Sequence, residues 1–413
     1  MKLHLEPKIK KSVLISLLGL LGIIAAIVFS YYQIRPPLQP KTTAFELVPV
    51  SSYPHIRDRG DLDSLKTAIG NSLDFLAGQP DTKTYLCGDR TISVSRLSRT
   101  LEVFSGLLDL NLPPREFQAE FERLFILYRI SRIKGRKTTC KPVLTTGYFQ
   151  PEIQASMHEN QNFSYPVYST PEDLIRVVLS RFDPDLPSMT LTGRLDGRQL
   201  IPYYTRTEID LGRCMKNAGV LAWLKSPVDG LMLHIQGSGI LRFQDGSSRY
   251  IHFASSNGHP YGSIGKWLVD RGILSIAQAD WPGIRAWAEK HPEKFAQALS
   301  ANPRYIFFRW EKNGPIGSIG KILTPMRSVA LDQGIYPPGA LYFLEVPMLF
   351  CLKSRDRTGS FSGFVTNQDI GSAISGPYRL DMYCGSGVEA GRLAGRMRHS
   401  GKLFMVLLKN DCD

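Results

Sequence analysis

The feature of this 413-residue chain that most constrains its fold is a change in the spacing of apolar residues near Pro142. Before that point apolar residues recur at helical spacing, as at Leu62, Leu65, Ile69 and Leu73. After it, short β-prone segments alternate with glycine-containing turn signals. The 36 Gly and 27 Pro residues also favour a turn-rich, strand-rich chain. The sequence therefore predicts a mainly β protein with peripheral helices, of the α+β class.

The same patterns predict individual elements. Helices are expected over residues 62–76, 92–110, 114–128, 263–271 and 284–299. Strands are expected over residues 143–149, 165–168, 189–191, 231–235, 241–243, 250–253, 305–308, 328–331, 341–346, 361–365, 378–383 and 404–408. The length of the chain is sufficient for two domains or more.

The first forty residues predict where the protein resides. Lys2, Lys8, Lys10 and Lys11 precede an uncharged apolar run over residues 12–32, which has about the length that a bilayer requires. Positive charge before the run predicts a cytoplasmic amino terminus and export of the remainder to the periplasm. We therefore expect an inner-membrane signal anchor, with residues 1–44 forming a cytoplasmic stub, a transmembrane helix and a linker. A cleaved signal peptide is the alternative.

Charge and cysteine content restrict the partners and the chemistry. The net charge of +13 suits an anionic partner, but the basic residues are scattered and no nucleic-acid motif accompanies them, so we expect no nucleic acid. The six cysteines are spaced too widely for zinc pairs, and they leave open one to three disulfides or a set of buried free thiols. His252 and His259 have no third partner at ligand spacing, so no metal site is expected. No organic cofactor is expected either.

The most informative stretch is 367–387, NQDIGSAISGPYRLDMYCGSG, which places Asp369 and Asp381 among Gly, Ser and aromatic residues. Small residues allow a backbone to approach a bulky ligand closely. A carboxylate among apolar neighbours such as Leu380, Met382 and Tyr383 can have its pKa raised and can then act as a general acid. Such an acid is used to break glycosidic bonds. Whether Arg379 lowers this pKa is left open by the sequence.

Seven strings occur in a fixed order along the chain. They are TGYFQPEIQAS (146–156), IPYYTRTEID (201–210), VDGLMLHIQGSGILRFQDG (228–246), SSNGHPYGSIGKWLVDRG (255–272), NPRYIFFRW (302–310), LTPMRSVALDQGIYPPGA (323–340) and the stretch 367–387. Together they resemble the membrane-bound lytic murein transglycosylase A family over about residues 140–408. The resemblance implies a double-psi β-barrel catalytic domain, built from residues 45–149 plus 311–413. It also implies a smaller inserted β-rich, substrate-binding domain over residues 150–310.

The resemblance further implies a peptidoglycan lytic exotransglycosylase whose partners are glycan strands of the cell wall. It implies that Asp381 is the catalytic acid and that Asp369 supports it. In this reaction the 6-hydroxyl of N-acetylmuramoyl attacks its own anomeric carbon and forms a 1,6-anhydro end, so one carboxyl can serve as acid and then as base. The alternatives are a hydrolytic muramidase on the same substrate and a non-catalytic peptidoglycan-binding module.

Side-chain chemistry and the family resemblance together predict which residues contact the sugar chain. Amides, hydroxyls, aromatic rings and a guanidinium are the groups expected to meet hydroxyl, acetamide or carboxylate groups of a glycan. The predicted substrate-binding residues are Tyr148, Gln236, Ser238, Asn257, His259, Tyr261, Arg327 and Ser328. For each of them a capped turn or a core position is the alternative interpretation.

Overall fold

The fold is taken from a computed structural model that describes residues 43–87, 90–134, 137–187, 189–211, 214–347 and 360–409. The predicted membrane anchor over residues 12–32 lies outside these residues. Within the described ranges, no helix combines the length and the apolar character needed to span a bilayer.

Helices and strands alternate irregularly along the chain. The helices are α1 (Leu62–Ala77), α2 (Val94–Asp109), α3 (Pro114–Leu124), α4 (Arg206–Leu211), α5 (Pro227–Gln236), α6 (Ile264–Asp270), α7 (Trp281–Lys290), α8 (Pro292–Leu299) and α9 (Gly387–Arg396). The strands before residue 203 are β1 (Thr43–Leu47), β2 (Thr84–Cys87), β3 (Arg90–Ser93), β4 (Phe125–Lys134), β5 (Lys137–Thr139), β6 (Val143–Gln150), β7 (Glu152–Ser156), β8 (Tyr165–Tyr168), β9 (Ile175–Val178), β10 (Thr190–Asp196) and β11 (Gln199–Pro202). The later strands are β12 (Val220–Leu224), β13 (Ser238–Phe243), β14 (Ser248–Ser256), β15 (Ile306–Glu311), β16 (Ser328–Ala330), β17 (Leu341–Val346), β18 (Phe361–Asp369), β19 (Arg379–Ser386) and β20 (Arg398–Leu408).

The larger sheet combines strands from both ends of the described chain. Its order is β1-β4-β20-β17-β18-β16-β19-β6, and β5 pairs with β4. The long strand β20 pairs with β17 and β4 along its second half and with β6 along its first half. The strand path that leaves β20 through β17 therefore returns to β20 through β6.

Helices α1 and α2 cover the core of this sheet. The Asp61 side chain caps α1 by accepting from the Ser64 backbone N–H, and Ser93 caps α2 in the same way. One face of α1 buries Leu65 and Ile69, which join a single cluster with the inward side chains of the large sheet. Burial of this apolar face, rather than helix propensity, accounts for most of the stability of such helices.

The segment between β6 and β15 forms a second set of layers. A mixed sheet runs in the order β15-β14-β13-β7-β12-β8 and has its own apolar core, which includes Ile153, Leu241 and Phe308. The residues between β8 and β12 form a small separate sheet of order β11-β10-β9. Helices α6, α7 and α8 pack around Trp287 and Phe295.

The predicted strand over residues 231–235 is wrong, because this segment lies in helix α5. Ser226 caps the helix through the Asp229 backbone N–H, Pro227 occupies its first turn, and Gly237 ends it at a φ of 73°. The helix buries residues around most of its circumference, so its apolar residues do not recur at helical spacing in the sequence. The predicted helix over 114–128 also ends earlier, at Leu124, where β4 begins.

The described cysteines are free thiols. Cys87 and Cys384 are buried, Cys214 is half-buried and Cys140 is exposed. Cys351 and Cys412 lie outside the described residues. For the four described cysteines, the free-thiol alternative therefore holds.

Candidate active site

The two aspartates of the stretch 367–387 lie on strands that flank the short strand β16. Ala330 of β16 is the register partner of Asp369 on β18 and also of Asp381 on β19. Because adjacent strands lie about 4.8 Å apart, one central residue holds both carboxylates near each other. This proximity depends on β16, whose residues lie far from β19 in the chain.

Asp381 sits half-buried, with a partner from β6. Thr146 is its register partner on β6, and the Thr146 hydroxyl donates a 2.8 Å hydrogen bond to Asp381 Oδ1. The pKa of Asp381 is raised to about 6 in total. Burial is the main cause and the nearby Asp369 carboxylate adds to the increase, whereas the Thr146 hydrogen bond and the Arg379 charge oppose it. Arg379 and Asp381 are two residues apart on one strand, so period-two alternation places them on the same face.

Asp369 is the more strongly hydrogen-bonded of the two. The Tyr148 hydroxyl donates to Asp369 Oδ2 at 2.7 Å, and the Ser318 backbone N–H donates to Oδ1 at 3.1 Å. Burial raises the pKa of Asp369, and these donors together with the charge of His252 act in the opposite direction. Asp369 therefore accepts at both oxygens, whereas Asp381 accepts from Thr146 at one oxygen.

Aromatic rings form one wall beside the carboxylates. The Tyr148 and Tyr383 ring centroids are 5.4 Å apart at an angle of 50°. Burial holds the pKa of Tyr148 well above its ordinary value, so this phenol stays protonated and remains a donor to Asp369. The Tyr383 hydroxyl lies 3.1 Å from Ser386 Oγ, which donates to Gln150 Oε1. Rings fixed in this way can pack against a sugar face.

Residues from the segment between β6 and β15 also approach the carboxylates. Gln236, the last residue of α5, accepts a hydrogen bond from the Phe149 backbone N–H at 3.0 Å. On β14, His252 Nε2 lies 2.5 Å from the Ile316 carbonyl oxygen. The loop that contains Ile316 also supplies Ser318 to Asp369. The site is therefore bordered by residues of both large sheets.

The predicted substrate-binding residues separate into two groups. Tyr148 and Gln236 lie at the carboxylates or at the junction of the two sheets, and Ser238 follows Gln236 closely as a buried residue at the start of β13. Tyr261 is 39% exposed. Nothing in the described contacts links Tyr261 to the two aspartates.

Other predicted residues have internal partners. The buried Asn257 side chain donates to two carbonyl oxygens, those of Tyr204 and Pro303, and accepts from the Tyr305 backbone N–H. His259 Nε2 lies 2.7 Å from the Tyr203 carbonyl oxygen. These contacts tie loops together and favour the structural alternative for both residues.

Arg327 and Ser328 are also fully occupied inside the protein. Arg327 is 1% exposed and makes a two-pronged ion pair with Asp58, at 2.7 and 2.8 Å. Ser328 Oγ donates to Gln368 Oε1 at 2.5 Å. The geometry favours a structural role for both, since a guanidinium so engaged presents few donors to a ligand.

Sequence reasoning missed Thr146, Ser318 and His252 as neighbours of the carboxylates. Thr146 carried a signal, because it precedes Tyr148 by two residues in the same predicted strand and so shares its face. Ser318 and His252 carried none, since their contacts depend on a loop and on the second sheet. No group of three or more metal-ligating side chains occurs in the described part of the chain.

Comparisons with known proteins agree in pointing to one group. Family models match residues 144–309 as an MltA specific insert domain and residues 327–407 as a 3D domain. The chain is 34% identical over 269 residues to the membrane-bound lytic murein transglycosylase A of Escherichia coli K12, covering 63% of this chain and 64% of that protein. A Vibrio cholerae protein of the same name is 30% identical over 276 residues, covering 65% and 66%. The matched region thus spans just under two thirds of these relatives.

Solved structures extend the similarity over most of the fold. A membrane-bound lytic murein transglycosylase from Agrobacterium tumefaciens has a TM-score of 0.72 and 28% identity, covering 88% of this chain and 98% of that one. The structure of E. coli MltA with bound chitohexaose has a TM-score of 0.64 and 26% identity, covering 90% and 96%.

Proposed function

Because the chain belongs to the membrane-bound lytic murein transglycosylase A family, we propose that it is a lytic transglycosylase acting on peptidoglycan. It cleaves the β-1,4 bond between N-acetylmuramoyl and N-acetylglucosamine and leaves 1,6-anhydro ends. The bound oligosaccharide named for the E. coli relative supports a glycan substrate. We propose exo-type cleavage, in which early products are of disaccharide size.

The observation that carries the proposal is the state of Asp381. With a pKa of about 6, this half-buried carboxyl is still protonated in about one molecule in ten at pH 7, far more often than an ordinary carboxyl, and it reaches solvent. Thr146 holds Oδ1, which leaves Oδ2 to donate a proton to the leaving oxygen. The resulting carboxylate then takes the proton of the attacking 6-hydroxyl. One residue thus acts as acid and then as base, and no water is consumed.

Asp369 supports this cycle without exchanging the reacting proton. Its hydrogen bonds from Tyr148 and Ser318 favour its anionic form. An anion beside Asp381 raises the pKa of Asp381, which favours the protonated acid at the start of the cycle. Tyr148 and Gln236 border the cleft in which the sugar chain lies.

The proposed domain architecture separates the large sheet from the segment between β6 and β15. Residues 45–149 plus 311–413 form a double-psi β-barrel, supported by the strand path that returns to β20, and residues 150–310 form the inserted substrate-binding domain. We propose that residues 12–32 anchor the protein in the inner membrane with the catalytic domains in the periplasm, where peptidoglycan lies. Cleavage of the amino-terminal segment is the alternative.

The test is the Asp381→Asn variant with digestion of cell-wall sacculi. We expect a fall in rate of about three orders of magnitude or more, since loss of general acid catalysis alone costs about 100-fold to 10,000-fold. Asp245→Asn, the same change at an exposed turn, serves as the matched control and should digest normally. Near-normal activity of Asp381→Asn would reject the assignment of the acid.

Mass spectrometry of the wild-type products separates the alternatives. Anhydro ends are lighter than reducing ends by one water. Products with only ordinary reducing ends would identify a muramidase. Tight binding to sacculi without soluble products would identify a binding module.

A further inference from the structure

A basic cavity lies beyond the carboxylates at the start of β6 and of β18. Its volume is about 500 Å³, and Phe361, Val346 and Pro142 form an apolar floor. Arg57, Arg59 and Lys402 line it together with one carboxylate, Glu345. Residues 348–359 lie outside the described residues.

The side chains of Arg57 and Lys402 are available to a ligand. Arg57 is exposed, and among the described residues its guanidinium has no hydrogen-bond or ion-pair partner. Lys402 is 74% exposed and lies 3.9 Å from Glu345. An ion pair that is this long and this exposed contributes little, so a ligand carboxylate can displace it.

The sheet connects this cavity with Asp381 along one face. Thr146 is the register partner of Asp381 on β19 and of Arg398 on β20. Lys402 lies four residues further along β20. Cross-strand partners share a face, and side chains alternate with a period of two, so Asp381, Arg398 and Lys402 all lie on the same face.

Pairing in the neighbouring strands continues this face to the cavity. Lys402 pairs with Glu345 of β17, and Glu345 pairs with Ser362 of β18. Both Arg398 and Ser400, which precede Lys402 on the same face, are exposed. A row of exposed residues with basic side chains at Arg398 and Lys402 therefore runs from the acid to the cavity.

We propose that this basic face binds the acidic peptide attached to the sugar that is cleaved, with its carboxylates at Arg398, Lys402 and Arg57. The inference rests on the proposed function and names a second part of its substrate. Arg398 and Lys402 are four positions apart on β20, which is about 13 Å at about 3.3 Å per residue. An extended peptide of four residues spans about the same distance.

The composition of the cavity favours a peptide over a compact anion. The apolar floor accommodates aliphatic side chains, whose burial stabilises the complex. Glu345 beside Lys402 repels a small, multiply charged anion but accepts hydrogen bonds from peptide N–H groups. An acidic peptide with aliphatic parts satisfies all of these groups.

The test compares two forms of one substrate with the full-length protein in detergent. Soluble glycan strands that carry peptides are compared with the same strands after an amidase has removed the peptides. For Arg57→Gln/Lys402→Gln we expect KM on the peptide-bearing strands to rise about tenfold, as for the loss of about 1.4 kcal/mol of binding, with kcat unchanged. On stripped strands KM should change less than about twofold.

Arg99→Gln/Arg123→Gln is the matched control, because it removes the same charge from two exposed helical ion pairs. It should leave both substrates unaffected. An equal rise of KM on both substrates, or no rise on the peptide-bearing one, would overturn the inference.

A binding measurement distinguishes failure of the proposed function from failure of this inference. If wild-type protein forms no anhydro ends from either substrate, fluorescence anisotropy of labelled strands still measures affinity. The inference then requires weaker binding of the double variant to peptide-bearing strands only. Equal affinities of wild type and double variant for those strands would overturn it.

Discussion

At the scale of single residues, the protonation of Asp381 results from opposing contributions. Burial and the Asp369 carboxylate raise its pKa, while the Thr146 hydrogen bond and the Arg379 charge lower it. The outcome, about 6, lies close to the pH at which a carboxyl can both give and take a proton. A fully buried carboxyl without Thr146 would hold its proton too firmly, and an exposed one would lose it at neutral pH.

Replacement of Thr146 by Val tests this contribution. The hydroxyl stabilises the charged form of Asp381, so its loss raises the pKa further. In the proposed mechanism the protonated form of Asp381 starts the reaction, so kcat/KM should fall as the pH rises through this pKa. We expect this fall to occur at a higher pH in Thr146→Val, by about 0.7 pH unit for a hydrogen bond of about 1 kcal/mol.

The measurement is the pH profile of anhydro-product formation. Thr67→Val removes a hydroxyl from the exposed side of α1 and serves as the control. An unchanged profile, or a shift to lower pH, would contradict this account of Thr146.

At the scale of elements, the short strand β16 organises the site. It contains three residues, yet it pairs with both strands that carry the aspartates. Arg327, which immediately precedes it, is held by Asp58 and by the Phe364 carbonyl oxygen. The segment before α1 thereby fastens the start of β16 to β18. We infer that this ion pair maintains the spacing of the two carboxylates.

Replacement of Asp58 by Ala should lower the stability strongly. Arg327 would remain buried without its counter-charge, a situation that typically costs about 3–5 kcal/mol in the free energy of unfolding. Urea denaturation measures the change. Glu102→Ala, which breaks an exposed ion pair on α2, should cost about 0.5 kcal/mol or less. Equal midpoints for the two variants would argue that Arg327 is not a structural residue.

At the scale of the whole molecule, the chain leaves the large sheet after β6 and returns to nearly the same place. A methyl group added to Gly314 would lie 3.3 Å from Gln150 Nε2, so the exit and the return are adjacent. Each sheet also has a separate apolar core. This arrangement favours the proposed inserted domain over one continuous fold.

Deletion of residues 151–313, joined by a short Gly-Ser linker, should therefore leave a folded protein. All five Trp residues lie in the deleted segment, so Trp fluorescence cannot follow unfolding of the remaining protein. Circular dichroism is therefore the measurement. We expect cooperative unfolding in urea together with loss of cleavage, since Gln236 and His252 are absent. A chain without cooperative unfolding would contradict the independence of the two units.

Local sequence patterns were sufficient to predict many of the helices and strands. Helix α1 and strand β6 follow from apolar spacing, because one face of each packs on a core. Strand β17 follows from a short apolar run that is buried on both faces. Helix α5 was misassigned because it is buried around most of its surface and so has no polar face to reveal its period. At the candidate site, Asp381 and Asp369 were predicted from their setting, and the structure places both beside Ala330. Arg327 was predicted as a ligand contact because its partner Asp58 lies 269 residues away in the chain.

The sequence by itself determined the class of the fold, most element positions and the family, and it predicted two candidate carboxylates. Those properties depend on residue types at short spacing. Only the tertiary structure decided that Ala330 stands between Asp369 and Asp381, that Thr146 and Tyr148 hold them, and that a basic face leads away from them. These relations join residues that are distant in the chain, such as Thr146 and Asp381, which are 235 residues apart, and strand pairing over such separations is selected by packing of the whole core rather than by local pattern.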